Sequence, residues 1–176
     1  MTIFNMSTTI RHFDLVEAFS ARGFYMKYND KMSIKTYASD ISLVHNGHRL
    51  KDPYYLSLID IDTLKDINTI DHLSYVQPDF MMFHNNKFLI NENQTRIAGC
   101  PDLVLEIWSD SDSVADRDVK FSIYAQSKGR TEHWYIVQDS NIVECYIGES
   151  KLKDQTLKRP LRTKNGIEFD LTHLAL

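Results

Sequence analysis

The chain has 176 residues, 43% apolar and 25% charged, a formal net charge of −4 and two cysteines. That length supports one domain with a sizeable core, and the composition is that of a folded chain rather than a disordered one. Short, charge-broken apolar runs exclude a bilayer-spanning segment, and the acidic balance argues against a dedicated non-specific DNA binder, which gains affinity from Lys and Arg. A nuclease is not excluded, because metal-binding acids add negative charge at a site. Met1 to Phe13 lacks the basic start and apolar centre of a secretory signal. Cys100 and Cys145 match neither a disulfide framework nor a zinc site, which points to reduced thiols and a cytoplasmic location.

Thr9 to Ala21 carries helical periodicity through Ile10, Phe13, Leu15, Val16 and Phe19, with Ser7, Thr8 or Thr9 as the expected cap and Gly23 as the stop. Phe24 to Val44 alternates in places and predicts strands around a turn at Asn29-Asp30, and Asn46-Gly47 marks another tight turn. Tyr54 to Ile67 fits a helix (Leu58, Ile61, Leu64, Ile67) and an alternating strand (Ile59 to Asp62) equally well. Phe80 to Phe83 reads as a short buried strand, His84 to Lys87 as a polar turn, and Phe88 to Ile90 as a returning strand. Leu103 to Trp108 is a nearly continuous apolar strand of the kind covered on both faces. After the polar loop Ser109 to Ser113, Asp116 to Ser127 predicts an amphipathic helix with Val119, Ile123 and Gln126 on one side, Tyr124 nearby and Gly129 beyond its end. Glu132 to Val137 and Ile142 to Ile147 follow as strands joined at Asp139-Ser140-Asn141, and Gly166 to Leu176 as a short packed tail. Strand, helix, strand at this spacing predicts an α/β fold with a crossover unit and a mixed sheet covered by helices.

Acids cluster where two of these apolar runs begin or are interrupted. Asp79 follows Pro78 before one strand, Asp102 follows Pro101 before another, and Glu106 interrupts Leu103 to Trp108. An unpartnered buried carboxylate is costly, so Glu106 requires a metal, a cation or an edge position. Phosphodiester hydrolysis needs an attacking water, neutralised phosphoryl oxygens and help for the leaving group, and a magnesium ion supplies much of this through oxygen ligands. Asp79 and Glu106 are the candidate ligands if their strands are neighbours, with the backbone carbonyl of Ile107 as a third oxygen. Asp102 shares a strand face with Glu106 but lies about 13 Å away at ordinary strand rise, too far to share an ion directly. Lys120 is the candidate cation for the reacting phosphate. Asp116, one helical turn earlier, is either an assisting acid or the partner of Lys120 in an ordinary intrahelical ion pair. Asp79 and Asp102 can equally be turn residues that bond local amides.

Other polar clusters carry blander readings. His45-Asn46-Gly47-His48 is a surface turn before it is a metal site, and Ser109 to Ser113 lacks the Gly and distal Glu of a calcium loop and reads as a helix cap. Trp108 and Trp134 read as packed rings rather than base-stacking platforms, and Lys151, Lys153, Lys158, Arg159, Arg162 and Lys164 as a solvated face.

Several landmarks occur together in order: Gln77-Pro78-Asp79, Gly99 to Ser109 with its Pro101-Asp102 and Glu106, Asp116-Arg117 with Lys120 and Tyr124, Glu132-His133-Trp134, and Gly166 to Leu171. In these the chain from about Tyr75 to Leu176 resembles the Uma-two family of restriction endonucleases, within the PD-(D/E)xK nuclease superfamily. The resemblance implies a three-layer α/β/α core with metal ligands on two adjacent strands, at Asp79 and Glu106. Trp108 stands where the strand lysine of that superfamily is usual, and Lys120 on the next helix is its replacement. Glu132 is an accessory acid in the resemblance. The Tyr-Glu-Leu segment of the family has no clear copy in the first 70 residues, where Glu17 is the candidate acid. The implied protein is one nuclease-like domain over 1–176, divided into a helix and strand region at 1–70 and a core at 71–176. It is a Mg²⁺- or Mn²⁺-dependent endonuclease on duplex DNA, working as a homodimer. The alternative is a catalytically inactive binding or assembly module that keeps the fold.

Overall fold

The computed structural model describes residues 3–19, 34–38, 41–47, 56–109, 111–128, 130–137 and 139–172, with side chains on the first helix from residue 11 onward. The expected stop at Gly23, the turn at Asn29-Asp30, His48 and Gly129 lie outside the described residues. Among the described residues, two helices, α1 (Ile3–Phe19) and α2 (Val114–Ala125), accompany thirteen strands. These are β1 (Lys35–Ala38), β2 (Ser42–His45), β3 (Ser74–Val76), β4 (Phe80–Phe83), β5 (Phe88–Ile90), β6 (Arg96–Gly99), β7 (Leu103–Trp108), β8 (Glu132–Val137), β9 (Ile142–Ile147), β10 (Ser150–Lys151), β11 (Gln155–Thr156), β12 (Leu161–Arg162) and β13 (Glu168–Phe169).

The main sheet runs β1-β4-β7-β8-β9-β10, with β11 also paired to β9. The β7–β8 pair is parallel, from Leu103 opposite Glu132 to Trp108 opposite Val137, and its crossover contains α2. The flanking pairs β4–β7 and β8–β9 are antiparallel, so the sheet is mixed. All six residues of β7 and all four of β4 are buried, as continuous apolar runs require.

Side chains alternate across the sheet and build a core on each face. On one face Phe80, Met82, Leu103, Leu105, Ile107, Trp134 and Ile136 pack with Leu15, Ala18 and Phe19 of α1 and with Leu161, Ile167 and Phe169 of the β12–β13 region. The rings of Phe19, Phe80, Trp134 and Phe169 meet here at centroid distances of 5.4–6.1 Å, and full burial of one such ring is worth about 1.5–3 kcal/mol. On the other face Met81, Phe83, Val104, Trp108 and Tyr135 pack with Ile123 and Tyr124 of α2. Helix, sheet and helix thus form three layers, the α/β architecture that the resemblance implies. A smaller sheet, β3-β2-β6-β5, adds Leu43 and Ile97 to the α2-side core.

Local signals account for most elements and for the departures. Helix α1 begins at Ile3, so the serine and threonines expected to cap it lie inside it. The ambiguous stretch near Ile59 becomes two 3-10 turns, Ile61–Thr63 and Ile67–His72, each opened by an aspartate (Asp60, Asp66) whose carboxylate accepts an N–H two residues on. Helix α2 begins two residues earlier than expected because Ser113 caps it, its Oγ accepting the Asp116 N–H at 3.1 Å. Its packed side also differs from the apolar periodicity: Val119 is 38% exposed, whereas Ile123 and Tyr124 are buried. The basic side chains around β10–β12 are exposed, with Lys151 paired to Asp154 and Arg162 to Glu168. Among the described residues no helix is long and apolar enough to cross a membrane.

Candidate active site

Asp79 is the residue just before β4, and Glu106 is the fourth residue of β7. Phe80 pairs with Leu105, so extending this antiparallel register by one position sets Asp79 opposite Glu106. Directly opposed residues have Cβ atoms about 4.5–5.5 Å apart. Both side chains share the parity of the α2-side core, Asp79 with Met81 and Phe83, and Glu106 with Val104 and Trp108.

Each carboxylate is held by two donors. Asp79 Oδ2 accepts the Ile107 N–H at 2.7 Å, and Oδ1 lies 3.0 Å from His12 Nε2. Glu106 is only 2% exposed; its Oε1 accepts the Tyr124 hydroxyl at 2.7 Å and its Oε2 the Lys120 ammonium at 3.4 Å. Lys120 and Tyr124 stand four residues apart on α2, one above the other on the side turned to the sheet. The Lys120 ammonium also lies 5.6 Å over the ring of Trp108, which Arg117 approaches at 5.3 Å and Tyr135 stacks against at 5.4 Å. Trp108 is therefore enclosed rather than offered to a base. Arg117 secures the loop before α2 by donating to the Ser109 carbonyl at 2.6 Å.

Burial dominates the electrostatics. It raises the Glu106 carboxyl to about 7; Asp79 adds to the rise, and Lys120 and the Tyr124 hydrogen bond oppose it. The Asp79 carboxyl is raised too, because burial outweighs the Ile107 N–H, His12 and Lys120. Burial and the neighbouring Glu106 charge push the Tyr124 hydroxyl far upward, so it stays a proton donor to Glu106. Every carboxylate oxygen has two lone pairs. Four donors occupy one each, which leaves both acids able to accept more.

The remaining acids singled out in the sequence do not join this group. Asp102 Oδ2 accepts the N–H groups of His84, Asn85 and Asn86 at 2.6, 3.1 and 3.2 Å and so holds the turn between β4 and β5. Glu132 opens β8 opposite Leu103, and its side chain lies on the α1 side of the sheet. There it accepts from Trp134 Nε1 and from the Lys164 N–H, both at 2.9 Å. Asp116 is exposed in the first turn of α2, and the ammonium of Lys120 goes to Glu106. Glu17 is exposed, and among the described side chains of α1 it is His12 that reaches Asp79. His45 accepts the Gly47 N–H at 3.0 Å, a turn role. An open hollow of about 330 Å³ lies by Asp102 and Glu132, at the opposite end of β7 from Asp79.

Sequence reasoning missed two contributors. Tyr124 was legible in principle, because a residue four beyond Lys120 shares its helix stripe. His12 was not, since nothing local links it to an acid 67 positions away. Among the described residues, no group of three or more His, Cys, Asp or Glu side chains is arranged to hold a metal. In comparison with known proteins, the model of the Uma2 family, described as "Putative restriction endonuclease", matches residues 61–172, more than half of the chain. A search of curated proteins finds no match.

Proposed function

We propose, for a chain that belongs to the Uma2 family, a metal-dependent endonuclease that hydrolyses phosphodiester bonds of duplex DNA through a PD-(D/E)xK-type centre. The observation that carries this reading is the pair of opposed carboxylates, the half-buried Asp79 and the buried Glu106, with the Lys120 ammonium on the same face. Burial is the main cause that raises both carboxyls, Asp79 adds to the rise at Glu106, and the charges of His12 and Lys120 at Asp79 and of Lys120 at Glu106 do not offset it. A divalent cation between them fits that deficit and the lone pairs left open. Two carboxylates are few ligands, which suits Mg²⁺ or Mn²⁺ because magnesium keeps several waters. The N–H of Ile107 is turned to Asp79. The carbonyl of a strand residue points to the same side as its N–H, so Ile107 offers a third oxygen there. When bound, the ion lowers the pKa of the attacking water and offsets charge on the phosphoryl oxygens.

The chain's own groups supply the rest. Lys120 is 29% exposed, so its ammonium can keep Glu106 in place and meet an incoming phosphate. Its charge opposes the negative charge that grows on the phosphoryl oxygens. Tyr124 keeps the Glu106 carboxylate from swinging out of line. The α2-side core under Trp108 and Tyr135 excludes water from beneath the acids and so strengthens these interactions. Asp102, Asp116 and Glu132 have structural work in this reading. We further assign the chain to a single domain over 1–176 and a cytoplasmic location. A homodimer suits this reading, because paired centres cut both strands of a duplex in one encounter.

The test is plasmid cleavage in Mg²⁺ or Mn²⁺ by the wild type and by Asp79→Ala, Glu106→Ala and Lys120→Ala. Cutting by the wild type that disappears in all three supports the nuclease. Metal binding without any cutting points instead to a non-catalytic descendant of the fold.

A further inference from the structure

We infer that His12, on the first helix and outside residues 61–172, is a positioning residue of this centre: it fixes the Asp79 carboxylate in the orientation that receives the cation. The inference rests on the metal-dependent reading above. Asp79 stands just outside β4, where no strand pairing restrains its side chain. A carboxylate bonded through one oxygen can still turn about its side-chain torsions, whereas bonds to separate oxygens fix its plane. The Ile107 N–H takes Oδ2 and His12 Nε2 takes Oδ1, so both oxygens are held from different elements. The remaining lone pairs are then the ones available to an ion shared with Glu106.

The direction of the bond follows from the acceptor. An ionised carboxylate only accepts, so Nε2 carries the hydrogen and donates. A nitrogen engaged in this way is not itself a metal ligand. Carboxylates that ligate metals are commonly held by such outer hydrogen bonds, whose removal typically costs 10–100-fold in metal affinity or activity.

Helix α1 is well placed to serve as the support. Leu15 and Phe19 are fully buried, and Phe19 packs at 5.8 Å against Phe80, the neighbour of Asp79. Beside His12, Arg11 donates to the Ser140 carbonyl at 2.9 Å and to Asn141 Oδ1 at 3.2 Å. The helix is thus docked independently of His12, and the imidazole is free to act on Asp79 rather than on the fold. The parallel with Glu106 is close: that acid is held by α2, through Lys120 and Tyr124, and Asp79 is held by α1.

The experiment compares full-length wild type with His12→Ala, His12→Gln, His12→Phe and Arg11→Ala. Mn²⁺ binding is measured by calorimetry, and plasmid nicking is titrated against Mg²⁺. Gln keeps a donor at similar reach; Phe keeps a ring without one, and serves if the alanine variant folds poorly. Arg11→Ala loosens the same helix without touching Asp79. Expected is Mn²⁺ binding at least tenfold weaker in His12→Ala and His12→Phe, an equal rise in the Mg²⁺ needed for half-maximal nicking, and recovery to within about threefold of wild type in His12→Gln. Arg11→Ala stays close to wild type in both readouts. Wild-type metal binding in His12→Ala, an equal loss in Arg11→Ala, or failure of Gln to rescue overturns the inference and leaves the metal centre standing. Absence of Mn²⁺ binding in the wild type overturns the centre and this inference together.

Discussion

The two ends of strand β7 carry the same kind of residue in opposite circumstances. At one end Asp102 and Glu132 are satisfied largely by groups that cannot leave: three consecutive amides on Asp102 Oδ2, and an amide and an indole on Glu132. At the other end Asp79 and Glu106 depend mostly on side chains with a choice of partner, His12, Lys120 and Tyr124. A carboxylate closed off by backbone amides organises a turn. In the proposed function, the half-buried Asp79 and the buried Glu106, facing each other beside a partly exposed ammonium, are the pair that exchanges partners when a cation and a phosphate arrive. The number of acids near a strand therefore says little about function; the identity of their donors says much more.

The sharpest way to break this contrast is to neutralise each acid without changing its shape. Glu106→Gln and Asp79→Asn are expected to lower plasmid cleavage at least 10³-fold, a barrier increase of about 4 kcal/mol, while the protein stays folded. Glu132→Gln and Asp102→Asn are expected to retain cleavage within about tenfold and to lower the Tm instead. A loss of cutting from the second pair as deep as from the first would remove the distinction.

The difference also has a pH signature in metal-free protein. The Glu106 carboxyl moves from 4.5 to about 7 on folding, so the folded chain holds its proton more tightly than the unfolded one. The associated stability is full below about pH 4.5 and is lost as pH rises to about 7, by an amount on the order of 3 kcal/mol. His133 works the other way: burial lowers it from 6.5 to about 4, so its contribution is present above pH 6.5 and lost on acidification. The two windows overlap, and the wild-type Tm profile mixes them. Subtraction isolates the acid. In EDTA, the Tm of Glu106→Gln relative to wild type should rise from pH 5 to about pH 7 and level off above it, and added Mg²⁺ should shrink the gain. A flat difference would mean that Glu106 is already compensated without metal.

At the amide-saturated end, truncation should cost stability instead of activity. Asp102→Ala removes the shared acceptor of three N–H groups, and the expected loss is about 2–3 kcal/mol, given roughly 1–3 kcal/mol for a lost buried hydrogen-bond partner. Glu132→Ala removes the acceptor of the fully buried Trp134 indole and should cost about as much. Chemical denaturation measures both, and the m-value should stay constant if only the native state is affected.

How much of this was legible in the sequence depended on whether the deciding contact was local. Strands β4, β5, β7, β8 and β9 coincide with the expected ranges, because apolar runs bounded by polar turns fix where a buried strand starts and stops. The pairing of Asp79 with Glu106 required β4 and β7 to be neighbours, which the resemblance implied and the register supplies. The packed face of α2 was legible in part: Ile123 and Tyr124 are buried, but Val119 is exposed and the helix turns Arg117 and Lys120 toward Trp108 and Glu106. A helix that faces a buried acid turns some of its charges inward, and hydropathy alone does not show which. Asp102 and Glu132 looked accessory because sequence shows an acid at a strand entrance but not the amides that claim it. The role of α1 at Asp79 is a contact over 67 positions, beyond any local pattern.

The smallest expected effect tests the donors rather than the acids. Tyr124→Phe deletes one hydroxyl from a fully buried ring and leaves its packing with Trp108 and Tyr135 in place. Glu106 then loses its bond at Oε1, one of the influences that hold its pKa down. Two consequences follow together. Divalent affinity should fall about tenfold, the lower end of what loss of such a supporting bond costs. The acid limb of the pH–rate profile should move to higher pH, since Glu106 keeps its proton longer. Extra Mg²⁺ should restore most of the rate, because the ion replaces the lost hydroxyl in favouring the charged carboxylate. A variant with an unmoved acid limb and unchanged Mg²⁺ requirement would mean that Glu106 is positioned by Lys120 alone, and α2 would then act through one residue rather than a stripe.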